Sequence, residues 1–148
     1  MSTHTQILYQ IIFSTKNREK VLIKEHREKL FRYIWGILKN KKCVLYQING
    51  IEDHIHIATH IHPTIAVSSL VKDIKIASSV WIKEQNIFPD FTGWQIGYGA
   101  FTYSFKEKNV LINYIKNQEQ HHETKSFREE YIELLNDRQI EFDEKYLL

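Results

Sequence analysis

Histidines alternate along "EDHIHIATHIHP", residues 52–63, at His54, His56, His60 and His62. Side chains alternate across a β-strand, so the four imidazoles share one face and the isoleucines between them take the other. Imidazoles two residues apart, roughly 6.6 Å between Cα atoms, can converge on one metal ion, but the ends of this run lie roughly 26 Å apart. The sequence therefore offers two candidate metal pairs, 54/56 and 60/62, beside a plainer interpretation in which solvated imidazoles line an exposed sheet face.

A tyrosine and a glutamine form a second candidate group in "VLINYIKNQEQHH", residues 110–122. Tyr114 and Gln118 are one helical turn apart on the flank of an apolar stripe, and His121 lies near the same flank. Packing explains such a tyrosine in most helices. If this helix crossed the histidine face, however, the glutamine carbonyl could complete a metal site and the tyrosine hydroxyl could attack what the metal holds.

The elements that must position these groups follow from hydrophobic periodicity and turn residues. Strands are predicted at 5–15, 43–49, 54–62 and 96–105, and helices at 24–40, 65–85, 109–122 and over "KSFREEYIELLND". The order β-α-β-β-α-β predicts an α+β, ferredoxin-like antiparallel sheet with additional C-terminal helices. Its helices would cover the isoleucine face and leave the imidazole face open.

Composition narrows the class of protein. A chain of 148 residues suits a single domain, 1–148, with a hydrophobic core. The one cysteine, Cys43, excludes an internal disulfide and a cysteine-based zinc cage. With no secretory signal pattern and no apolar run of roughly 20 residues, we expect a cytoplasmic protein.

Basic residues cluster locally although the net charge is only +2, too mild to argue nucleic-acid binding by itself. Ordinary solvated surface charge is the alternative interpretation of any one cluster. The candidate phosphate contacts are Lys16, Arg18, Lys20, Lys39, Lys41 and Lys42.

Four blocks together carry a family resemblance: "YQIIFSTKNREKVL", "NGIEDHIHI", "WQIGYGAFTYS", and "YIKNQEQHH" followed by "SFREEY". In this order and at these separations, the chain resembles the single-tyrosine HUH transposases of the smallest bacterial insertion sequences, and their relatives, the REP-associated tyrosine transposases. The resemblance covers residues 5–135 approximately. An H-x-H motif alone does not identify a family, whereas the four blocks in this order are specific for this one.

The resemblance implies a role for particular residues. His54 and His56 match the metal-binding pair, Gln118 the third ligand and Tyr114 the nucleophile. The neighbouring Glu119 and Gln120 are alternative third ligands. His60 and His62 match no catalytic position and are expected to fill the face or lie near DNA.

The implied activity is cleavage and rejoining of single-stranded DNA through a 5′-phosphotyrosine, with Mg²⁺ or Mn²⁺. Family members recognise a hairpin near the element end and work as homodimers, in some of which the tyrosine helix is exchanged between subunits. The alternatives are a domesticated nickase or replication-initiator-like protein, a non-catalytic ferredoxin-like nucleic-acid-binding module, and a structural metalloprotein.

Overall fold

A four-stranded antiparallel sheet in the order β2-β3-β1-β4 forms the centre of the computed structural model, which describes residues 2–148. The strands are β1 (Leu8–Ser14), β2 (Val44–Gly50), β3 (His54–His60) and β4 (Gly99–Tyr103). The helices are α1 (Lys24–Asn40), α2 (Val67–Gln85), α3 (Lys108–Lys116), α4 (Gln118–His121) and α5 (Phe127–Asp137). This order and topology confirm the predicted ferredoxin-like fold.

Helices α1 and α2 cover the isoleucine face of the sheet, as the alternation predicts. Ile11 of β1 and Ile55 and Ile57 of β3 are fully buried there, against Ile34 of α1 and Ile74 of α2. Burying each such side chain contributes about 1.5–3 kcal/mol, so this layer is the main core. Within residues 2–148, no helix is both long enough and apolar enough to span a bilayer.

The opposite face is not open, and this expectation was wrong. Helix α3 places Leu111 and Ile115 against it, and α5 packs its apolar stripe around Phe127 and Tyr131. Both helices are amphipathic and must bury that stripe, and the remaining sheet face offers the apolar surface to do so. The imidazole face is therefore an interior layer.

The helix predicted at 109–122 is broken at Asn117, whose φ and ψ are −95° and 22°. The side-chain amide of Asn49, on β2, donates to the carbonyls of Ile115 and Lys116, both at 3.0 Å. These bonds satisfy carbonyl groups that the end of a helix leaves without partners. Because Asn49 is distant in sequence, local periodicity did not predict the break, after which α4 starts at Gln118.

Gly50 closes the β2–β3 hairpin immediately before the histidines. A Cβ atom at this position would lie 2.2 Å from the backbone oxygen of His54. Only a residue without a side chain allows that approach, so Gly50 fixes where His54 enters the sheet.

Candidate metal and nucleophile site

His54 and His56 lie side by side on β3, fully buried beneath the C-terminal helices. Their ring centroids are 4.9 Å apart, and the His54 ring stacks on Phe127 of α5 at 4.1 Å. The structure therefore brings this predicted pair together in the interior.

The other histidine pair has a different environment. The His60 Nδ1 atom accepts a hydrogen bond from the Ile7 backbone N–H at 3.0 Å, just before β1. The His62 ring bonds the Thr64 hydroxyl at 2.7 Å beyond the end of β3. Both rings make local hydrogen bonds, and the fold does not bring them to His54 and His56.

Neighbouring acceptors set the tautomers of His54 and His56. The His54 Nδ1–H donates to Asp53 Oδ1 at 2.7 Å, and the His56 Nδ1–H donates to Gln10 Oε1, also at 2.7 Å. The Gln10 amide is oriented by its own donation to the Tyr103 hydroxyl at 2.7 Å. In the neutral ring each Nε2 atom then carries the lone pair, which is the form of imidazole that binds a metal.

Gln118 and His122 add two groups from α4 and the residue after it. Gln118 is fully buried, and its Oε1 atom lies 3.1 Å from the Nε2 atoms of both His54 and His122. The His122 Nδ1–H donates to the carbonyl of Lys125 at 2.6 Å. The Nε2 atom of a third imidazole thus faces the same oxygen.

Glu130 of α5 is the carboxylate at the centre of this group. Its Oε1 atom lies 3.1 Å from His56 Nε2, 3.3 Å from His122 Nε2 and 3.5 Å from His54 Nε2. Its Oε2 atom accepts a hydrogen bond from the Tyr114 hydroxyl. One carboxylate therefore joins the histidines to the predicted nucleophile.

The donor set fits a divalent ion. Three Nε2 atoms face two oxygen atoms that can only accept, and with neutral rings a shared cation would turn the repulsion between lone pairs into attraction. Neighbouring ligands held about 2.1 Å from one ion are separated by roughly 3.0–3.5 Å, as these atoms are. His54, His122 and Glu130 each place a ligand atom within 4.8 Å of the other two, and His56 adjoins this group through Glu130.

Burial and charge act differently on the two paired histidines. Burial disfavours the His54 imidazolium, but hydrogen bonds and charge from Asp53 and Glu130 outweigh it and raise the His54 pKa. For His56, burial dominates and lowers the pKa to about 4. His56 is therefore neutral near pH 7, with its Nε2 lone pair available.

Tyr114 reaches the site from within the same chain. Its ring lies 5.8 Å from the His56 ring, nearly perpendicular at 80°, and His121 packs against it at 4.9 Å. Burial, and then the adjacent Glu130 carboxylate, raise the Tyr114 pKa well above its usual value. The phenol keeps its proton in this arrangement and donates it in a hydrogen bond.

Several residues of the cluster were missed by the sequence analysis: Gln10, Asp53, His122 and Glu130. A signal for Glu130 exists, since it falls on the buried stripe of α5 between Phe127 and Tyr131, where a carboxylate is unusual. The alternative third ligand Glu119 is exposed and pairs with Lys24 at 3.3 Å. Gln120 is exposed as well, so Gln118 is the residue that the fold directs inward.

Lys20, one of the predicted phosphate contacts, lines a cleft of about 420 Å³. Lys24 and Arg27 of α1 line the cleft as well, together with Asp53 and His122 of the candidate site. The carboxylates of Glu52, Glu119 and Glu123 line it too, so the cleft carries charges of both signs.

Other members of the basic clusters lie elsewhere. The Arg18 guanidinium donates to the Leu148 backbone oxygen at 2.6 Å. Lys39 and Lys41 lie at the far end of α1, roughly 24 Å along the helix axis from its start. Lys41 forms an ion pair with Asp73 at 2.7 Å, and neither Lys39 nor Lys41 lines the cleft.

A protein-family model described as IS200-like transposase matches residues 3–118, most of the chain. The chain belongs to the IS200-like transposase family. The match ends at Gln118, so His122 and Glu130 of this IS200-like transposase lie beyond it.

Solved structures share the fold of this IS200-like transposase. A protein assigned as a transposase from Deinococcus radiodurans is 24% identical, with a TM-score of 0.63, over 80% of this chain and 95% of that one. A REP-associated tyrosine transposase bound to a REP hairpin is 16% identical, with a TM-score of 0.62, over 82% of this chain and 74% of that one. No curated protein matches the chain.

Proposed function

We infer that this family member cuts and rejoins single-stranded DNA through a covalent 5′-phosphotyrosine at Tyr114. The observation that carries this proposal is one carboxylate contact: the Tyr114 hydroxyl bonds Glu130, which also lies against the Nε2 atoms of His54 and His56. A nucleophile placed beside a candidate metal site is the arrangement that metal-assisted phosphoryl transfer requires.

The reaction exchanges one phosphodiester for another. The phenolic oxygen of Tyr114 attacks phosphorus as its proton passes to Glu130 Oε2, the acceptor of its hydrogen bond, and the bond from phosphorus to the 3′-oxygen breaks. That oxygen takes up a proton and leaves as a free 3′-OH, while the 5′-phosphate stays on the tyrosine. Because a phenolate leaves more readily than an alkoxide, the 3′-OH of another strand can displace it and reseal the DNA without ATP.

His54, His56 and Gln118 are the residues that would hold Mg²⁺ or Mn²⁺. When bound, such an ion would polarise the scissile phosphate and offset the negative charge that develops during transfer. Asp53 and Gln10 hold the two rings in the binding tautomer through their Nδ1–H groups. The amide oxygen and the phosphates of the substrate would shift the preference toward a hard ion, away from the zinc or copper that imidazoles alone would prefer.

A DNA partner is proposed from the family match and from the position of Lys20 at the cleft. The REP-associated tyrosine transposase of similar fold was solved with a REP hairpin. For this chain we propose a DNA hairpin near the element end, followed by an unpaired cleavage site that approaches through the cleft at Lys20. A homodimer is proposed on the family resemblance.

Incubation with labelled single-stranded DNA that carries the flanks of its own gene tests the proposal. With Mn²⁺, we expect an adduct that survives denaturation, and EDTA or a fully paired duplex should prevent it. A second strand with a 3′-OH should then release the adduct and be joined, which distinguishes a strand transferase from a nickase. If no flank gives an adduct, the proposed function is wrong.

A further inference from the structure

We propose that Glu130 is a further catalytic residue of this site, which binds the divalent ion through Oε1 and holds the Tyr114 hydroxyl through Oε2. The proposal rests on the proposed function. It concerns a residue on α5, twelve positions beyond Gln118, where the family match ends. Helix α5 would then be part of the active site and not simply a cover on the sheet.

The surroundings of Oε1 argue for a shared cation. This oxygen lies 3.1–3.5 Å from the Nε2 atoms of His54, His56 and His122. All three rings carry their proton on Nδ1, where each has an oxygen partner at 2.6–2.7 Å. When the rings are neutral, this anionic oxygen faces three lone pairs, an arrangement that a cation between them stabilises. Without an ion, protonation of a ring at Nε2 is the other way to hold the carboxylate there.

The second oxygen has different partners. Oε2 accepts from the Tyr114 hydroxyl and from the Gln118 Nε2 atom, the latter at 3.2 Å. The amide of Gln118 thus turns its nitrogen toward Glu130 and its oxygen toward His54. The carboxylate therefore fixes the distance between the nucleophile and the metal-binding nitrogens.

The packing of α5 on the sheet positions the Glu130 carboxylate beside the histidines. Glu130 is only 6% exposed, with the buried side chains of Phe127, Tyr131 and Leu135 along the same face of α5. The Ser126 hydroxyl begins the helix by accepting from the Glu129 backbone N–H at 3.1 Å. Because Phe127 also stacks on His54, the position of α5 and that of the histidines are linked.

Calorimetric titration of Mn²⁺ into the metal-free protein tests the ligand role. Glu130→Gln keeps the shape of the side chain, and we expect its Mn²⁺ affinity to fall about tenfold or more. Glu133→Gln is the matched control on the same helix, because Glu133 is exposed, and its affinity should stay within about twofold of wild type. Thermal melts of the metal-free variants check folding. Glu130→Asp keeps the charge but has a shorter side chain, which moves the carboxylate away from the histidines, so it should also bind Mn²⁺ more weakly.

Adduct kinetics test the tyrosine role. At saturating Mn²⁺ and DNA, Glu130→Gln should form the adduct about tenfold more slowly, with its KM for DNA within about twofold of wild type. Unchanged Mn²⁺ affinity, or a full rate at saturating Mn²⁺, would overturn the inference about Glu130. A wild-type protein that forms no adduct in the same assay would instead overturn the proposed function, so the two failures are distinguishable.

Discussion

The Tyr114 hydroxyl donates a hydrogen bond to the Glu130 carboxylate of its own chain, and that carboxylate lies 3.1 Å from His56 Nε2. The predicted nucleophile and the predicted metal pair therefore meet within one subunit. Helix exchange between subunits is not needed to complete the site in this arrangement.

A mixing experiment tests whether this arrangement is the active one. The Tyr114→Phe variant lacks the nucleophile, and the His56→Ala variant lacks a metal ligand. If both groups must come from one chain, a mixture of the two variants should form no adduct. Restoration to a quarter or more of the wild-type level would show that subunits exchange tyrosine helices. Light scattering on the same samples measures the mass, for which we predict a dimer.

Replacement of Tyr114 by Phe should abolish the covalent adduct and preserve the fold and Mn²⁺ binding. The change removes one hydroxyl from a half-buried ring, and the contact of that ring with the His56 ring remains. Denaturing gels with labelled DNA measure the adduct, and gel shift measures DNA binding, which should be unchanged. The matched control is Tyr98→Phe, an exposed tyrosine that should keep full activity. A residual adduct in the Tyr114 variant would identify another nucleophile.

The two histidine pairs should respond differently to alanine. His56→Ala should abolish metal-dependent cleavage, because its Nε2 atom adjoins Glu130 in the candidate site. His60→Ala should keep cleavage and lose about 1 kcal/mol of unfolding free energy, since it removes one hydrogen bond to the Ile7 backbone. Cleavage assays and urea denaturation measure the two effects. Inactivity of a folded His60→Ala protein would contradict the assignment of the metal to His54 and His56.

Glycine at position 50 should be required for stability. In Gly50→Ala the new Cβ would meet the His54 backbone oxygen, and we expect a loss of about 1–3 kcal/mol or more in unfolding free energy. Gly36→Ala is the control, because no atom lies within 4 Å of a Cβ there and the residue is inside α1. That variant should be more stable by about 0.5–1 kcal/mol. Urea denaturation measures both, and equal stabilities would refute the hairpin argument.

Charge reversal at Lys20 should weaken binding of a short single-stranded DNA that contains the cleavage site. Lys20 borders the cleft beside Asp53, whereas Lys39 lies at the far end of α1. Lys39→Glu should therefore have the smaller effect on the same oligonucleotide. Fluorescence anisotropy at several salt concentrations measures both, and the salt dependence should become shallower for Lys20→Glu. A larger effect of Lys39→Glu would place the DNA on the opposite end of the molecule.

The sequence by itself determined the order of the elements and the two faces of β3. It also determined the four sequence blocks that carry the family resemblance. Alternation fixed His54 and His56 on one face, because successive side chains of a strand point to opposite sides. Helical spacing put Tyr114 and Gln118 one turn apart. These are local relationships, set by backbone geometry over a few residues.

Tertiary structure decided which distant residues contact the histidine face of β3 and the helix that carries Tyr114. Glu130 is 74 positions from His56, and only the packing of α5 onto the sheet brings its carboxylate to the imidazoles. The break at Asn117 likewise depends on the side chain of Asn49, a distant residue on β2. Local spacing fixes which residues can face a site, but the burial of apolar helix stripes against the sheet decides which of them meet there.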